Sequence, residues 1–404
     1  MVTVEYNPWS PEAVANPYPM FKQLREQNPI QRMEVLDGFV LTRYDDVVRV
    51  LKDSRFSADR RNARTPLMAE ALKAQEEMGP VANTQTMLSA DPPEHTRLRG
   101  LVSKAFTPKV VDNMRVHIQD IVAGLLDEVQ AKGSMDLIED LAYPLPVIVI
   151  AEMLGVPPEE RDTFKRWSDD LVANMGAPGM TPDPELMKRA QTSSNEMADY
   201  FRERIAERRK APKEDLLSAL IAAEERGEVL SEDEVLATCV LLLAAGNETT
   251  TNLIGNGMLA LLRHPEQFQK LRDDASLTDT AVEELLRYDG PVQATARVAN
   301  EDVDVGGQQV EKGQMVMCVI AAANRDPAHF DDPETLDIAR KDNKHIAFGF
   351  GIHFCIGAPL ARIEGQAAIS ALMRRMPNLR LDNDEPAWNG NFILRGLRSL
   401  PVSF

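Results

Sequence analysis

One cysteine in this chain stands where a thiol can be put to chemical use. Cys355 lies in HIAFGFGIHFCIGAPLAR, a stretch with glycines at 349, 351 and 357 that runs straight into a periodic segment carrying Leu360, Ile363, Ala367, Ala371 and Leu372. A thiol at a helix N-terminus meets the positive end of the helix dipole and free backbone N–H groups, which lower its pKa and favour the thiolate. Such a sulfur can serve as a nucleophile or as a metal ligand. The nucleophile wants an imidazole base, and His353 is two residues away, although such partners usually meet in space rather than in sequence. Zinc is disfavoured: His345, His353 and Cys355 do not give tetrahedral ligand spacing, and no CxxC occurs. A lone thiolate acting as one axial ligand of a cofactor iron survives this elimination. Cys239 and Cys318, in apolar surroundings, read as small buried hydrophobes.

The second group able to do chemistry is Gly246-Asn247-Glu248-Thr249-Thr250-Thr251-Asn252. It interrupts the segment 232–263, whose Ser231–Glu234 spacing is that of a capping box and whose Arg263-His264-Pro265 end is a stop. At 1.5 Å per residue such a helix is about 48 Å long, enough to cross the whole fold. Its first half, VLATCVLLLAAG, is apolar on nearly every face and must be buried. A carboxylate and several hydroxyls in that setting cost several kcal/mol or more unless paired or wet. A helix break or a water-filled cleft is therefore expected. The alternative is a turn whose Thr hydroxyls bond back to preceding carbonyls.

The elements that must hold these groups follow from periodicity. Residues 1–29 read as an irregular arm with one short helix near Pro19–Gln27, IQRMEVLDGFVLTR as a hairpin about Asp37-Gly38, and YDDVVRVLKD as a helix. Helical spacing recurs at 108–131, 159–174, 185–209, 212–226, 232–263, 265–274, 278–288 and 358–375, with a β-like patch at 297–318. No 20- to 50-residue repeat and no flexible linker appears, so the expectation is a single domain over 1–404, mainly α with small β-sheets (α+β).

The 404 residues carry 45 Lys plus Arg against 63 Asp plus Glu, a formal charge of −18, which opposes general binding to nucleic acid or anionic membrane. Three scattered cysteines point to a reducing cytosol rather than a disulfide framework. The first residues show neither a basic n-region nor an apolar h-region, and the run Val235–Ala245 is too short to span a bilayer, so no export or membrane anchor is expected.

Phe348-Gly349-Phe350-Gly351-Ile352-His353-Phe354-Cys355-Ile356-Gly357 resembles the haem-binding loop of the cytochromes P-450, F-x-x-G-x-[HR]-x-C-x-G, with every fixed position filled. Ala245-Gly246-Asn247-Glu248-Thr249-Thr250 is similar to that family's oxygen-activation motif, Glu284-Leu285-Leu286-Arg287 to its E-x-x-R pair, and Arg340 to the partner completing that ion-pair core. DPPEHTRLR at 91–99, Arg297 and AANRDPAHFDDP at 322–333 extend the resemblance over most of the chain. It implies the family's fold, with a long central helix over haem b, and Cys355 as the axial ligand of the haem iron. His95, Arg99, Arg297 and His353 would hold the propionates, and Phe348, Gly357, Ala245 and Gly246 would line the haem. Glu248 and Thr249 would form the catalytic proton relay, and Glu284 and Arg287 would be structural. By the same resemblance the substrate pocket would be walled by Met87, Leu88, Leu242, Leu243, Ala245, Ala294, Thr295, Phe392 and Ile393, apolar enough for a hydrophobic substrate. Methionines 68, 78 and 87 suggest an adaptable entrance.

The activity so implied is that of a soluble, cytoplasmic, monomeric, bacterial-type monooxygenase inserting one oxygen atom of O2 into an apolar small molecule by hydroxylation or epoxidation. Its rivals are a peroxide-driven haem-thiolate enzyme and a non-catalytic haem sensor or carrier. No Cys cluster or dinucleotide fingerprint is present, so electrons must come from a separate ferredoxin or flavodoxin with its reductase. Arg97, Arg99, Lys104, Lys109 and Arg115, against Asp112 alone, with Arg362, Arg374 and Arg375, would make a basic docking face on the thiolate side.

Overall fold

The capping box at Ser231 forms as expected. The Ser231 backbone N–H donates to Glu234 Oε2 at 2.7 Å, and Glu234 N–H donates back to Ser231 Oγ at 3.2 Å. The helix they start runs unbroken over Glu232–Arg263 and ends at His264, before Pro265. In this computed structural model, which describes residues 6–77, 79–172, 183–225 and 227–404, it is the axis around which the other elements pack. Helices Pro144–Met153, Thr278–Asp289 and Ala358–Arg375 lie against it, and its apolar half is buried on almost every side.

The break expected at the polar cluster does not occur. The polar side chains are satisfied sideways instead: Thr249 Oγ1 donates to Ala245 O at 2.8 Å, Asn247 Nδ2 to Ser168 Oγ at 2.8 Å, Thr251 Oγ1 to Asn247 Oδ1 at 3.3 Å and Asn252 Nδ2 to Glu248 Oε1 at 3.1 Å. Three of these are i to i+4 bonds within the helix and the fourth reaches another helix; together they leave the backbone ladder intact and remove the need for an interruption.

The main sheet has five strands in the order Ile30–Met33, Gly38–Leu41, Met315–Cys318, Thr295–Ala299, Phe56–Ser57. Met315–Cys318 runs parallel to Gly38–Leu41 and antiparallel to Thr295–Ala299, a register that sets Arg297 opposite Val316. The expected hairpin is present, but Gly38 belongs to the second strand. The chain reverses through a short 3-10 turn, Glu34–Leu36, and Asp37, at φ 40°, whose carboxylate accepts from Arg32 and Arg64. The expected patch at 297–318 splits into Thr295–Ala299, Met315–Cys318 and a small hairpin, Val303–Val305 with Gln308–Val310.

Other differences are local. The N-terminal arm folds into two helices, Pro11–Ala15 and Tyr18–Gln27. The helix expected at 212–226 covers only Leu216–Ala222, capped by Asp215, and gives way to Glu224–Glu225 paired with Glu228–Val229. Pro144–Met153, outside the segments read as helical, is also a helix, with Pro144 in its first turn, where no backbone N–H is needed. Met78 and residues 173–174, part of an expected helix, lie outside the described residues.

Beneath this framework Glu284 and Arg287, both fully buried, form a saturated ion-pair core. Glu284 accepts from Arg287 Nε and Nη2 (2.8 Å each), Arg340 Nε (3.1 Å), Asp337 N (2.9 Å) and Asn343 Nδ2 (3.2 Å). Arg287 donates in turn to the carbonyls of Asn324, Pro333 and Thr335. The core fixes the 324–343 connection, which leads directly into the cysteine loop.

Candidate active site

The loop that presents Cys355 is held by its own backbone. Ile346 N donates to the Asn324 side chain at 2.8 Å, Gly349 N to Ile346 O at 2.9 Å, and Cys355 N to Phe348 O at 2.9 Å. Gly349 and Gly351 have φ of +75° and +72°, and a Cβ on Gly351 would come within 2.8 Å of Leu51 O, so the joint between this loop and helix Tyr44–Lys52 needs glycine there. Cys355 then stands just before helix Ala358–Arg375 with its sulfur reachable by solvent, although protein encloses it on most sides. It faces an internal cleft.

One expectation is reversed here. Burial pushes the Cys355 thiol up; the backbone N–H groups of Gly357 and Ala358 and the charges of Arg99 and Arg362 oppose this without overcoming it. The helix N-terminus alone therefore does not yield a thiolate. A coordinating metal would deprotonate such a thiol outright.

Around the same cleft the fold gathers four cationic or imidazole residues from distant elements. His95 and Arg99 come from helix Glu94–Ala105, Arg297 from the sheet, and His353 from the turn Gly351–His353. The His95 and His353 rings lie 4.3 Å apart. Among the described residues, buried His95 has no hydrogen-bond partner for its Nε2, and Arg297, also buried, donates only to Ala296 O (2.8 Å) and Thr295 Oγ1 (3.5 Å). Burial lowers the pKa of both imidazoles, with neighbouring positive charges adding to it: Arg99 and Arg297 at His95, and Arg297 at His353, which falls to about 4. Underused buried donors of this kind need carboxylates, and the two propionates of a haem match them. Across the cleft a Cβ on Gly246 would meet nothing within 4 Å, while one on Gly357 would lie 3.8 Å from Cys355 Sγ. The donor set, the open space at Gly246 and the single thiol together fit a haem. Phe348, with the Arg362 guanidinium 4.5 Å from its ring centroid, sits at the rim.

On the distal side Ala245 is exposed and Glu248 and Thr249 are half-buried. The two do not hydrogen-bond each other. Thr249 is turned to Ala245 O, whereas Glu248 Oε1 accepts from Asn252 and from Asn389 Nδ2 at 3.3 Å. Burial raises the Glu248 pKa; those two amides oppose it, and the Asp169 charge pushes it further up.

The expected pocket residues separate into two apolar clusters. Met87, Leu242 and Leu243 belong to the large helical core, and Ala294 and Phe392 to a cluster with the N-terminal arm, where Phe392 meets Trp9 edge-on at 5.2 Å. Thr295 and Ile393 are half-buried, and Leu88 is exposed. Leu243 has no exposed surface at all, so it backs the wall rather than lining it, which corrects the expectation. Met68 is likewise buried, in the cluster that holds Ala294 and Phe392.

The basic face also needs correction, because carboxylates remote in sequence neutralise much of it. Arg97 is taken by Glu94 and Glu234, Arg362 by Glu283 (2.6 Å) and Arg375 by Asp127 (2.6 Å), while Arg115 approaches Asp112 at 3.8 Å. Exposed Lys109, Val110, Val116 and Arg374 leave a smaller, partly apolar face.

Two contributors were not foreseen. Asn389 gives no local signal, because only folding brings it to Glu248. Glu364 does: it stands on the apolar face of helix Ala358–Arg375 with Leu360, Ile363, Ala367 and Ala371, nine residues after the cysteine. There it is fully buried beside the Thr250 side chain, and burial raises its pKa to about 8.

No helix among the described residues is long and apolar enough to cross a membrane. Comparison with known proteins gives a consistent picture. A family model described as Cytochrome P450 matches residues 36–387. Cytochrome P450 CYP107DY1 of Priestia megaterium is 44% identical over 408 residues, covering 98% of each chain, and the cytochrome P450 monooxygenase PikC of Streptomyces venezuelae is 45% identical over 398 residues, covering 96% of this chain and 91% of its own. The solved structure of the Bacillus subtilis bacillaene polyketide synthase cytochrome P450 PksS superposes with a TM-score of 0.90 at 41% identity, covering 99% of both chains.

Proposed function

The chain belongs to the cytochrome P450 family, whose members are haem b oxidoreductases, and from that membership we propose that it inserts one oxygen atom of O2 into an apolar small molecule. The balance is R–H + O2 + 2 e⁻ + 2 H⁺ → R–OH + H2O, with the electrons delivered by a separate ferredoxin or flavodoxin and its reductase. The haem, when bound, supplies the reductive activation of O2 that the amino acids cannot. The whole chain serves as one haem domain.

Cys355 would hold the haem iron through its sulfur, and the backbone N–H groups of Gly357 and Ala358 would steady the negative charge. His95, Arg99, Arg297 and His353 would take the propionates, and Phe348, Gly357, Ala245 and Gly246 would line the haem. Thr249 presents its hydroxyl to the cleft. Glu248, kept ready to carry a proton by burial, moves protons inward from the polar layer at Asn252 and Asn389. Met87, Leu88, Leu242, Ala294, Thr295, Phe392 and Ile393 surround the substrate and exclude water. The redox partner docks over Lys109, Val110, Val116 and Arg374, a contact in which apolar burial counts for more than charge.

The observation that carries this reading is the convergence of an accessible thiol in an internal cleft with four cationic or imidazole residues, of which His95 and Arg297 are underused as donors among the described residues, and a half-buried acid-alcohol pair. In Cys355→Ala the thiolate-type Soret band of the reduced carbon-monoxide complex should be lost. An unchanged band in that variant removes the ligand assignment.

A further inference from the structure

Arginines crowd the segment that leaves the sheet edge at Phe56–Ser57, and all but one are paired. Arg55 binds Asp53 at 2.6 Å, Arg61 is bound by Asp59, and Arg64 reaches Asp37 at 2.7 Å and Glu311 at 2.9 Å. Asp59 is fully engaged, since it also receives Arg61 N at 3.0 Å and Gln85 Nε2 at 3.0 Å. Arg60, at the start of the 3-10 turn Arg60–Asn62, has neither an ion pair nor a side-chain hydrogen bond among the described residues.

The position of Arg60 makes this unusual. Solvent reaches its side chain, yet protein surrounds it so closely that burial alone lowers its pKa, with no carboxylate acting against it. Cys355 shows the same combination, and there it marks the internal cleft. The turn packs on strand Thr295–Ala299, and the charge of Arg60 is felt by Arg297, a residue of its own sign on that strand. Through Asp59 and Gln85 the turn is also tied to the loop bearing Met87 and Leu88. The turn that carries Arg60 therefore joins the strand of Arg297 to the loop of Met87 and Leu88. Asp91, the carboxylate of this region, is held by Ser57 Oγ and Ala58 N and bears on Arg297, His95 and His353. The two propionates already have Arg99, Arg297 and two imidazoles as donors.

We propose that Arg60 receives the carboxylate of an otherwise apolar substrate, so that the substrate class is the amphipathic monocarboxylic acid. This rests on the monooxygenase reading above and deepens it. A guanidinium held in enclosed space without a partner offers a two-pronged, charge-assisted site for a planar carboxylate, and an apolar wall beside it accepts the hydrocarbon.

The test uses the ferric holoenzyme and Soret-shift titration with dodecanoic acid and with methyl dodecanoate. The parent should bind the acid at least about tenfold more tightly than the ester. Arg60→Gln should erase that preference while leaving the ester's affinity within about twofold. Arg60→Lys should retain part of it, and Arg61→Gln, whose arginine is already paired, all of it. A parent without acid preference, or an Arg60→Gln protein that keeps it, overturns the assignment. Haem transfer to apomyoglobin separates the other source of carboxylate: faster haem loss from Arg60→Gln with the acid preference intact would mean that Arg60 serves a propionate, and the proposal fails. A parent lacking the thiolate-type carbon-monoxide band would defeat the monooxygenase reading, whereas that band without acid preference defeats only the role of Arg60.

Discussion

Two carboxylates in helical segments of this protein face inward, and their surroundings differ completely. Glu284 has no exposure and receives five N–H donors, from three side-chain partners and one backbone amide. Glu248 is half-buried at the edge of a cleft and receives two amides, both on the same oxygen. The saturated group cannot change its partners without breaking the structure around it, so it holds. The undersaturated group keeps a free oxygen and a pKa raised by burial, so it can exchange a proton.

Substitutions can break or sharpen that contrast. Glu284→Ala strips the counter-charge from Arg287 and Arg340 and should cost about 3–5 kcal/mol, read as a collapse of the urea midpoint together with loss of bound haem; a variant as stable as the parent would show that the core does not hold. Glu364 tests an intermediate case, a carboxyl that is buried yet poorly paired. Its folded pKa of about 8 lies above the ordinary carboxyl value of 4.5, so the folded chain binds a proton that the unfolded chain has released. Stability should therefore fall as pH rises from about 4.5 to about 8 and level off beyond, with a slope of up to about 1.4 kcal/mol per pH unit from this group. Glu364→Gln should flatten that part of the stability profile, and an identical slope in the variant would contradict the burial argument. The smallest structural effect is expected on the open side. Thr249→Ala should shift stability by no more than about 1 kcal/mol and leave haem content unchanged, while diverting reducing equivalents into hydrogen peroxide. Coupling equal to the parent's would take Thr249 out of the proton path.

The same contrast explains what could be read from the amino acids alone. The cysteine loop was legible because its glycines, thiol and following helix are contiguous, and the Glu284–Arg287 pair because three residues along a helix put both on one face. The helix Glu232–Arg263 was legible at both ends from its capping box and its terminal proline. Its continuity was not: the back-bond of a Thr hydroxyl to a preceding carbonyl was open as an alternative, but Ser168 and Asn389, which meet Asn247 and Glu248, are brought there by folding. The charge of the thiolate face was misjudged for a related reason: Glu234, Glu283 and Asp127 reach Arg97, Arg362 and Arg375 from far along the chain. The thiol's pKa followed the depth of its burial, which neighbouring residue types do not reveal.

The bond from Thr249 Oγ1 to Ala245 O has a directional consequence. A hydroxyl owns a single hydrogen, and here that hydrogen is engaged by the helix's own carbonyl, leaving only lone pairs turned to the cleft. Molecules entering the distal space therefore meet an acceptor at this point. Guests carrying an O–H or N–H can dock there without disturbing the helix, whereas donating to an acceptor in the cleft requires the hydroxyl to turn off Ala245 O first, so the proton at Thr249 becomes available only when that bond is exchanged.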